Sequence, residues 1–244
     1  MSVVVFAGPT MTADAVRARL DAAVRPPAAR GDVLRAVDDG VKAIGLIDGV
    51  FERVAAVWHK EILWALSRGV RVYGAASMGA LRAAELAAFG MVPVGDIAAR
   101  YLRGELDDDD EVAVAHRDAE GAWAPVSEAM VNLRATLQAA RDAAVLSSAS
   151  CDALVALAKS HFYAERSFVL LDTRGERAGV PRAELDALRA WWTDGRVDLK
   201  RRDAEAMLDK MRDERGTANA PALWQFAHTD AWESLRRSVV DRGA

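Results

Sequence analysis

The chain has 244 residues, 52% of them hydrophobic and 28% charged, with 32 basic against 36 acidic side chains and a net charge of −4. That length allows one large domain or two small ones with a sizeable buried core. The longest apolar stretches, about five or six residues, fall far short of the ~20 that span a bilayer. The opening MSVVVFAGPT has neither a basic leader region nor a cleavage site after a long apolar run, so it does not read as a signal peptide. The lone cysteine, Cys151, excludes an intrachain disulfide framework and any Cys-based zinc site. A cytoplasmic protein is expected. Charge is mixed throughout, and without a basic stripe or tail nothing supports sequence-independent nucleic-acid binding. No P-loop and no G-x-G-x-x-G is present, and no cofactor is expected.

In chain order, Val3-Val4-Val5-Phe6-Ala7 predicts a buried strand stopped by Gly8-Pro9. A second runs over Ala43-Ile44-Gly45-Leu46-Ile47 to Asp48-Gly49, and a third over Val70-Arg71-Val72-Tyr73 to Gly74. Helical patterns over 12–23, 31–39 and 50–68 separate them, and another begins at Met78. Apolar strands alternating with helices predict an α/β fold built on a small parallel sheet flanked by helices. After Asp107-Asp108-Asp109-Asp110 a further strand is expected over 111–116. Beyond Gly121 the pattern is helical: from Ser127, from Ser150, after Pro181, over 200–212 and over 221–238. The chain thus divides into an α/β unit over 1–118 and a mainly helical region over 119–244.

Parallel sheets bind ligands beyond the carboxyl ends of their strands. Ser77 follows the third strand and opens a helix, with Ala75 two residues before and Gly79 two after. The spacing small-x-Ser-x-Gly is that of a nucleophile elbow, where small neighbours permit a tight turn and free helix N–H groups face an oxyanion. The competing role is a plain N-cap. A serine nucleophile needs a base, and no histidine (59, 116, 161 or 228) is tied to the elbow by sequence. Lys60 shares a helical stripe with Val57 and Trp64, while Phe51, Val54, Trp58 and Ile62 form another. Burial on such a helix lowers a lysine pKa toward the general-base range. The alternative is a snorkelling lysine paired with Glu61 or Glu85. Asp48 either holds a ligand hydroxyl or anchors the Gly49 turn. Asn132 and Arg134 follow the acidic run, where Arg134 meets an anionic ligand or pairs with a carboxylate. The run itself reads as a solvated turn, and no metal site is assigned.

Five blocks, WHKEILWAL at 58–66, GAASMGALRAAEL at 74–86, Phe89-Gly90-Met91, DDDDEVA at 107–113 with His116, and SEAMVNL at 127–133, make the chain resemble the TfuA-like family. The resemblance runs from VFAGPT to about residue 145. It implies an origin beside YcaO enzymes, which activate a peptide backbone amide with ATP and install thioamides in ribosomally made peptides. It further implies release of sulfur from a thiocarboxylated, ThiS-like carrier protein by a Ser–Lys pair, matched here by Ser77 and Lys60. On that basis Lys60 takes the proton of Ser77, whose Oγ attacks the thiocarboxylate carbon. The amides of Met78 and Gly79, with one near Gly8, hold the oxyanion, and Asp48, Gly49, Asn132 and Arg134 contribute to substrate binding. The implied partners are a YcaO enzyme, the carrier, and a precursor peptide held through YcaO, with no nucleic acid and no membrane.

Two further readings are carried. One is a non-catalytic adaptor that binds YcaO and its peptide through exposed aromatic surface, with Trp191, Trp192, Trp224 and Trp232 as candidates. The other is a generic serine esterase or amidase. Roles for Asp109, Glu111 and His116 are left open.

Overall fold

A computed structural model describes residues 2–50, 55–119, 122–217 and 224–240. The chain forms two compact units, one of Met1–Asp107 with Arg201–Ala244 and one of Asp108–Lys200.

The first unit begins with β1 (Val3–Phe6), α1 (Ala13–Arg19), β2 (Ala23–Arg25), α2 (Asp32–Asp38), β3 (Ala43–Leu46), α3 (His59–Ser67), β4 (Arg71–Gly74), α4 (Met78–Leu86), β5 (Val92–Pro93) and α5 (Gly95–Leu102). The strands pair in the order β2-β1-β3-β4-β5, all parallel, as apolar runs separated by long crossovers require. The three strongest apolar runs became the three central strands. β2 and β5 were not foreseen, because each is a short edge strand without an apolar run of its own, and β5 ends in a proline that an edge tolerates. The helix expected from residue 50 starts only at His59. Phe51 and Val54 lie outside the described residues.

Alternation along the strands sends side chains to two faces. Val4, Phe6, Ile44, Leu46 and Val72 pack with Val33 and Ala36 of α2, Ile62, Ala65 and Leu66 of α3, and Met78, Ala83 and Leu86 of α4. Val3, Val5, Ala43 and Tyr73 face the other way. They pack with Val16 of α1 and with Ala204, Met207, Leu208 and Met211 of α10 (Leu199–Asp213). Gly45 makes room for this contact, since a Cβ there would stand 2.8 Å from Met211 Sδ. On the same helix Asp203 accepts the Asp96 and Ile97 N–H groups at 3.0 and 2.8 Å, capping α5. Burial holds its carboxyl above the ordinary value against these two bonds. The last helix of the chain, Asp230–Val240, packs Trp232, Leu235 and Val239 on Leu34 of α2.

The second unit opens with a single 3-10 turn, Asp109–Glu111; the strand expected over 111–116 is not formed, and an antiparallel hairpin of His116–Ala119 with Ala122–Pro125 begins only at its last residue. Helices Met130–Asp142, Ser148–Lys159, Phe168–Arg174 and Arg182–Gly195 follow, around Leu133, Leu137, Leu154, Leu171, Leu185 and Leu188. Ser127 does not open the first of these. Its Oγ accepts the Ala115 N–H at 2.8 Å. The units found thus differ from a division at 118/119. α10 and the last helix carry apolar stripes whose complements, the sheet and α2, lie near the amino terminus, a pairing no local pattern encodes.

Since α10 shares with α1 the cover of one face of the sheet, a chain ending at Lys200 exposes part of the cluster around Val3, Val5 and Tyr73. Denaturant unfolding of the truncated chain is expected to lose the cooperative transition of the first unit; a cooperative transition at the full-length midpoint would show that α10 is dispensable to the core.

Candidate active site

Strands β1 and β3 are neighbours in the sheet although consecutive in neither sequence nor crossover, so their carboxyl ends diverge into a switch point. Asp48 sits there, 2% exposed. Its Oδ2 accepts the N–H groups of Gly8 (2.9 Å) and Thr10 (3.1 Å), and its Oδ1 accepts the Thr10 hydroxyl at 2.6 Å. A buried carboxylate is tolerated when donors surround it, and these three close the loop after β1 over the end of β3. Asp48 therefore anchors the loop after β1, and not the Gly49 turn, and Gly8 spends its N–H on it. Gly49 bridges to Ala28, and a Cβ there would meet Met78 Cγ at 2.6 Å. Its role is close packing against the first turn of α4.

Ser77 stands between β4 and α4, as the spacing predicts. The Ser77 N–H donates to the Ala75 carbonyl at 2.8 Å, across Ala76 at φ +68°. A three-residue turn with a positive-φ centre is rare and strained, more so on a residue with a Cβ. Ser77 itself has φ −119° and ψ −126°, and its carbonyl accepts from Ala80 and Leu81 as the helix begins. The small flanking residues are obligatory. A Cβ on Gly79 would lie 1.7 Å from the Leu46 carbonyl oxygen, and one on Gly74 would lie 2.1 Å from that of Gly79. Ser77 is 3% exposed. The expected ring of oxyanion donors is reduced by the geometry: the Gly79 N–H donates to the Ile47 carbonyl at 3.2 Å and the Gly8 N–H to Asp48. The Met78 N–H, at the first position of α4, has no acceptor among the described residues.

Lys60 lies in the first turn of α3, which follows β3 as α4 follows β4, so both helices open at the same edge of the sheet. It is half-buried, and its Nζ lies 5.4 Å from the ring centroid of Phe226. Both carboxylates considered as its partners are bonded elsewhere. Glu61 is fully buried and accepts the N–H groups of Gly31 (2.8 Å), Trp58 (3.1 Å) and Leu34 (3.4 Å), with burial raising its pKa against them. Glu85 takes His59 Nε2 and Arg82 Nη1, each at 2.7 Å. Burial pushes the Glu85 carboxyl up, but these two bonds outweigh it and hold it below the ordinary value. Arg82 Nε also donates to the Val57 carbonyl at 3.2 Å, tying α4 to the entry of α3. Phe226 was not anticipated, because nothing in its local sequence connects it with Lys60.

The remaining candidates belong to the second unit. Asn132 donates to Glu128 (2.9 Å) and Asp198 (3.2 Å) and accepts the Lys200 N–H at 3.1 Å. Arg134 forms a two-pronged pair with buried Glu111, at 3.0 and 2.9 Å. Both side chains assigned to substrate binding are thus engaged within the unit. Lys159 gathers Asp108, Asp110 and Glu111, and buried Arg166 holds Asp110, so the end of the acidic run is braced while Asp107, Asp108 and Asp109 stay exposed as a solvated turn would. His116 packs on Trp123 at 4.9 Å, and neither ring nitrogen has a hydrogen-bond partner among the described residues. The four tryptophans named as exposed candidates pack against the cores of their own units, with Trp232 fully buried.

Because Asp48 satisfies three donors, Asp48→Ala is expected to cost about 2–4 kcal/mol, measured by denaturant unfolding. Asp48→Asn, with one acceptor oxygen left, is expected to fall between it and wild type. An unchanged midpoint for Asp48→Ala would mean that the β1 loop is held by other means.

None of the curated proteins matches the chain. The family model for TfuA-like protein matches residues 48–167, a span that includes Asp48, Lys60, Ser77, Glu111, Asn132 and Arg134. Over that segment the chain is similar to the TfuA-like family.

Proposed function

We propose that the protein is a hydrolase that cleaves the thiocarboxylate of a ThiS-like sulfur carrier through Ser77 and Lys60, and so supplies sulfide to a YcaO enzyme for peptide thioamidation. The observation that carries this reading is the strained turn at Ala76, which delivers Ser77 to the amino terminus of α4 at the carboxyl edge of the sheet. Strain of 1–3 kcal/mol at a non-glycine residue, about what such a conformation costs, persists where the surrounding structure over-determines it.

The Ser77 Oγ attacks the carbonyl carbon of the carrier's terminal thiocarboxylate as Lys60 accepts the hydroxyl proton. The tetrahedral oxygen is met by the Met78 N–H and the positive end of α4. The carbon–sulfur bond then breaks, the proton passes from Lys60 to sulfur, and hydrosulfide leaves. Water hydrolyses the resulting ester, returning Ser77 and a carrier carboxylate with release of one proton. A glycine-ended tail brings no side chain with it, which suits a serine that is 3% exposed. A lysine in place of the histidine of a triad is a known variant of this chemistry. For the adaptor reading, the four tryptophans pack against their own cores, whereas Phe162 and Val169 stand exposed on the helical half.

The test is sulfide release from a thiocarboxylated ThiS-like carrier. Ser77→Ala and Lys60→Met are each expected to lower it at least about 100-fold, with unfolding midpoints checked alongside. Release undiminished in both variants removes the pair from the mechanism. Absence of release by the wild type, with thioamidation by YcaO still stimulated, would establish an adaptor.

A further inference from the structure

Ahead of the last helix, aromatic side chains of the carboxyl-terminal segment pack on α3 and on the residues that follow α4. Trp224 donates its Nε1–H to the Phe89 carbonyl at 3.0 Å and stands edge-on to the Phe89 ring. Two residues on, the Phe226 ring is clamped by Trp64 at 5.2 Å and Trp232 at 5.1 Å, with His228 at 5.3 Å. His228 is in turn fixed on Glu233 at 2.8 Å. The segment is therefore pinned on both sides of Phe226, and the ring has little freedom of its own. Its face is presented to Lys60, with Nζ 5.4 Å from the centroid, inside the range of a cation–π contact.

We propose that Phe226 is a positioning residue for Lys60, so that a segment outside the family-matched residues 48–167 completes the candidate site. The inference rests on the reading of Lys60 as the group that takes the Ser77 proton. A lysine has four rotatable side-chain bonds and loses much rotamer freedom when held. Glu61 and Glu85, the carboxylates considered as its partners, are committed to other donors. The clamped aromatic face confines the side chain instead, at an entropic cost borne by folding and not by the reaction, and favours the ammonium that forms as Lys60 takes the Ser77 proton.

The experiment uses the full chain with Phe226→Leu, which keeps apolar bulk without the ring, and Phe226→Tyr, which keeps the ring. Lysines are acetylated with N-hydroxysuccinimidyl acetate and Lys60 labelling is quantified by mass spectrometry against exposed Lys42. Sulfide release from the thiocarboxylated carrier is measured in parallel. Phe226→Leu is expected to raise relative Lys60 labelling and lower kcat, each about fivefold, with KM unchanged, the rate equivalent of one such contact. Phe226→Tyr is expected to stay near wild type in both. Wild-type labelling of Lys60 in Phe226→Leu overturns the proposal, as does an equal rise in both variants, or a kcat that increases. If the wild-type protein releases no sulfide, the hydrolase reading fails, while labelling still decides whether Phe226 holds Lys60.

Discussion

The approach of the first turn of α4 to the end of β3 sets the geometry of everything at the carboxyl edge. Gly79 touches the Leu46 carbonyl so closely that no side chain fits between them, and its N–H is bonded to Ile47. With the helix seated there, the three residues from Ala75 to Ser77 must turn sharply, and Ala76 carries the positive φ. Met78 is pressed onto Gly49, which fixes where Asp48 lies and thereby the loop after β1. One backbone contact thus couples three strand ends. The small residues of the GAASMGA stretch serve that contact first, and the placement of Ser77 follows from it.

The same close packing changes the chemistry that the first turn of α4 offers. A helix amino terminus normally has several uncommitted N–H groups. Here the seat against β3 takes the Gly79 N–H, and Asp48 takes that of Gly8. What is left at Ser77 is the Met78 N–H and the field of the helix. The acidic run of the second unit behaves likewise. Its Asp108, Asp110 and Glu111 carboxylates are drawn into a lattice with Lys159, Arg166 and Arg134, and the positions that suggested ligand binding are used to hold the unit together.

A layered sheet needs both faces covered, and in this chain part of the cover for one face comes from far along the sequence. α10 supplies Ala204, Met207, Leu208 and Met211 to that face and caps α5 through Asp203. The last helix adds a second shell over α2 and α3, and the segment leading to it carries Phe226 to Lys60. The carboxyl-terminal region is consequently part of the α/β unit in structure and a neighbour of its candidate site.

The sequence by itself determined the α/β class, the three central strands, the strand-to-helix turn at Ser77 and the family resemblance, because each is written in local patterns: apolar runs of strand length, small residues around a serine, and blocks of fixed spacing. It did not determine the edge strands β2 and β5, which have too few residues for a period to show. Nor did it determine the late start of α3, since apolar residues at helical spacing do not require a helix. Only the tertiary structure decided that Asp48 is an anchor, that the Gly8 and Gly79 amides are committed, that Arg134 pairs with Glu111, and that Phe226 faces Lys60. Those facts depend on which groups become neighbours across tens to hundreds of residues, and packing alone selects them.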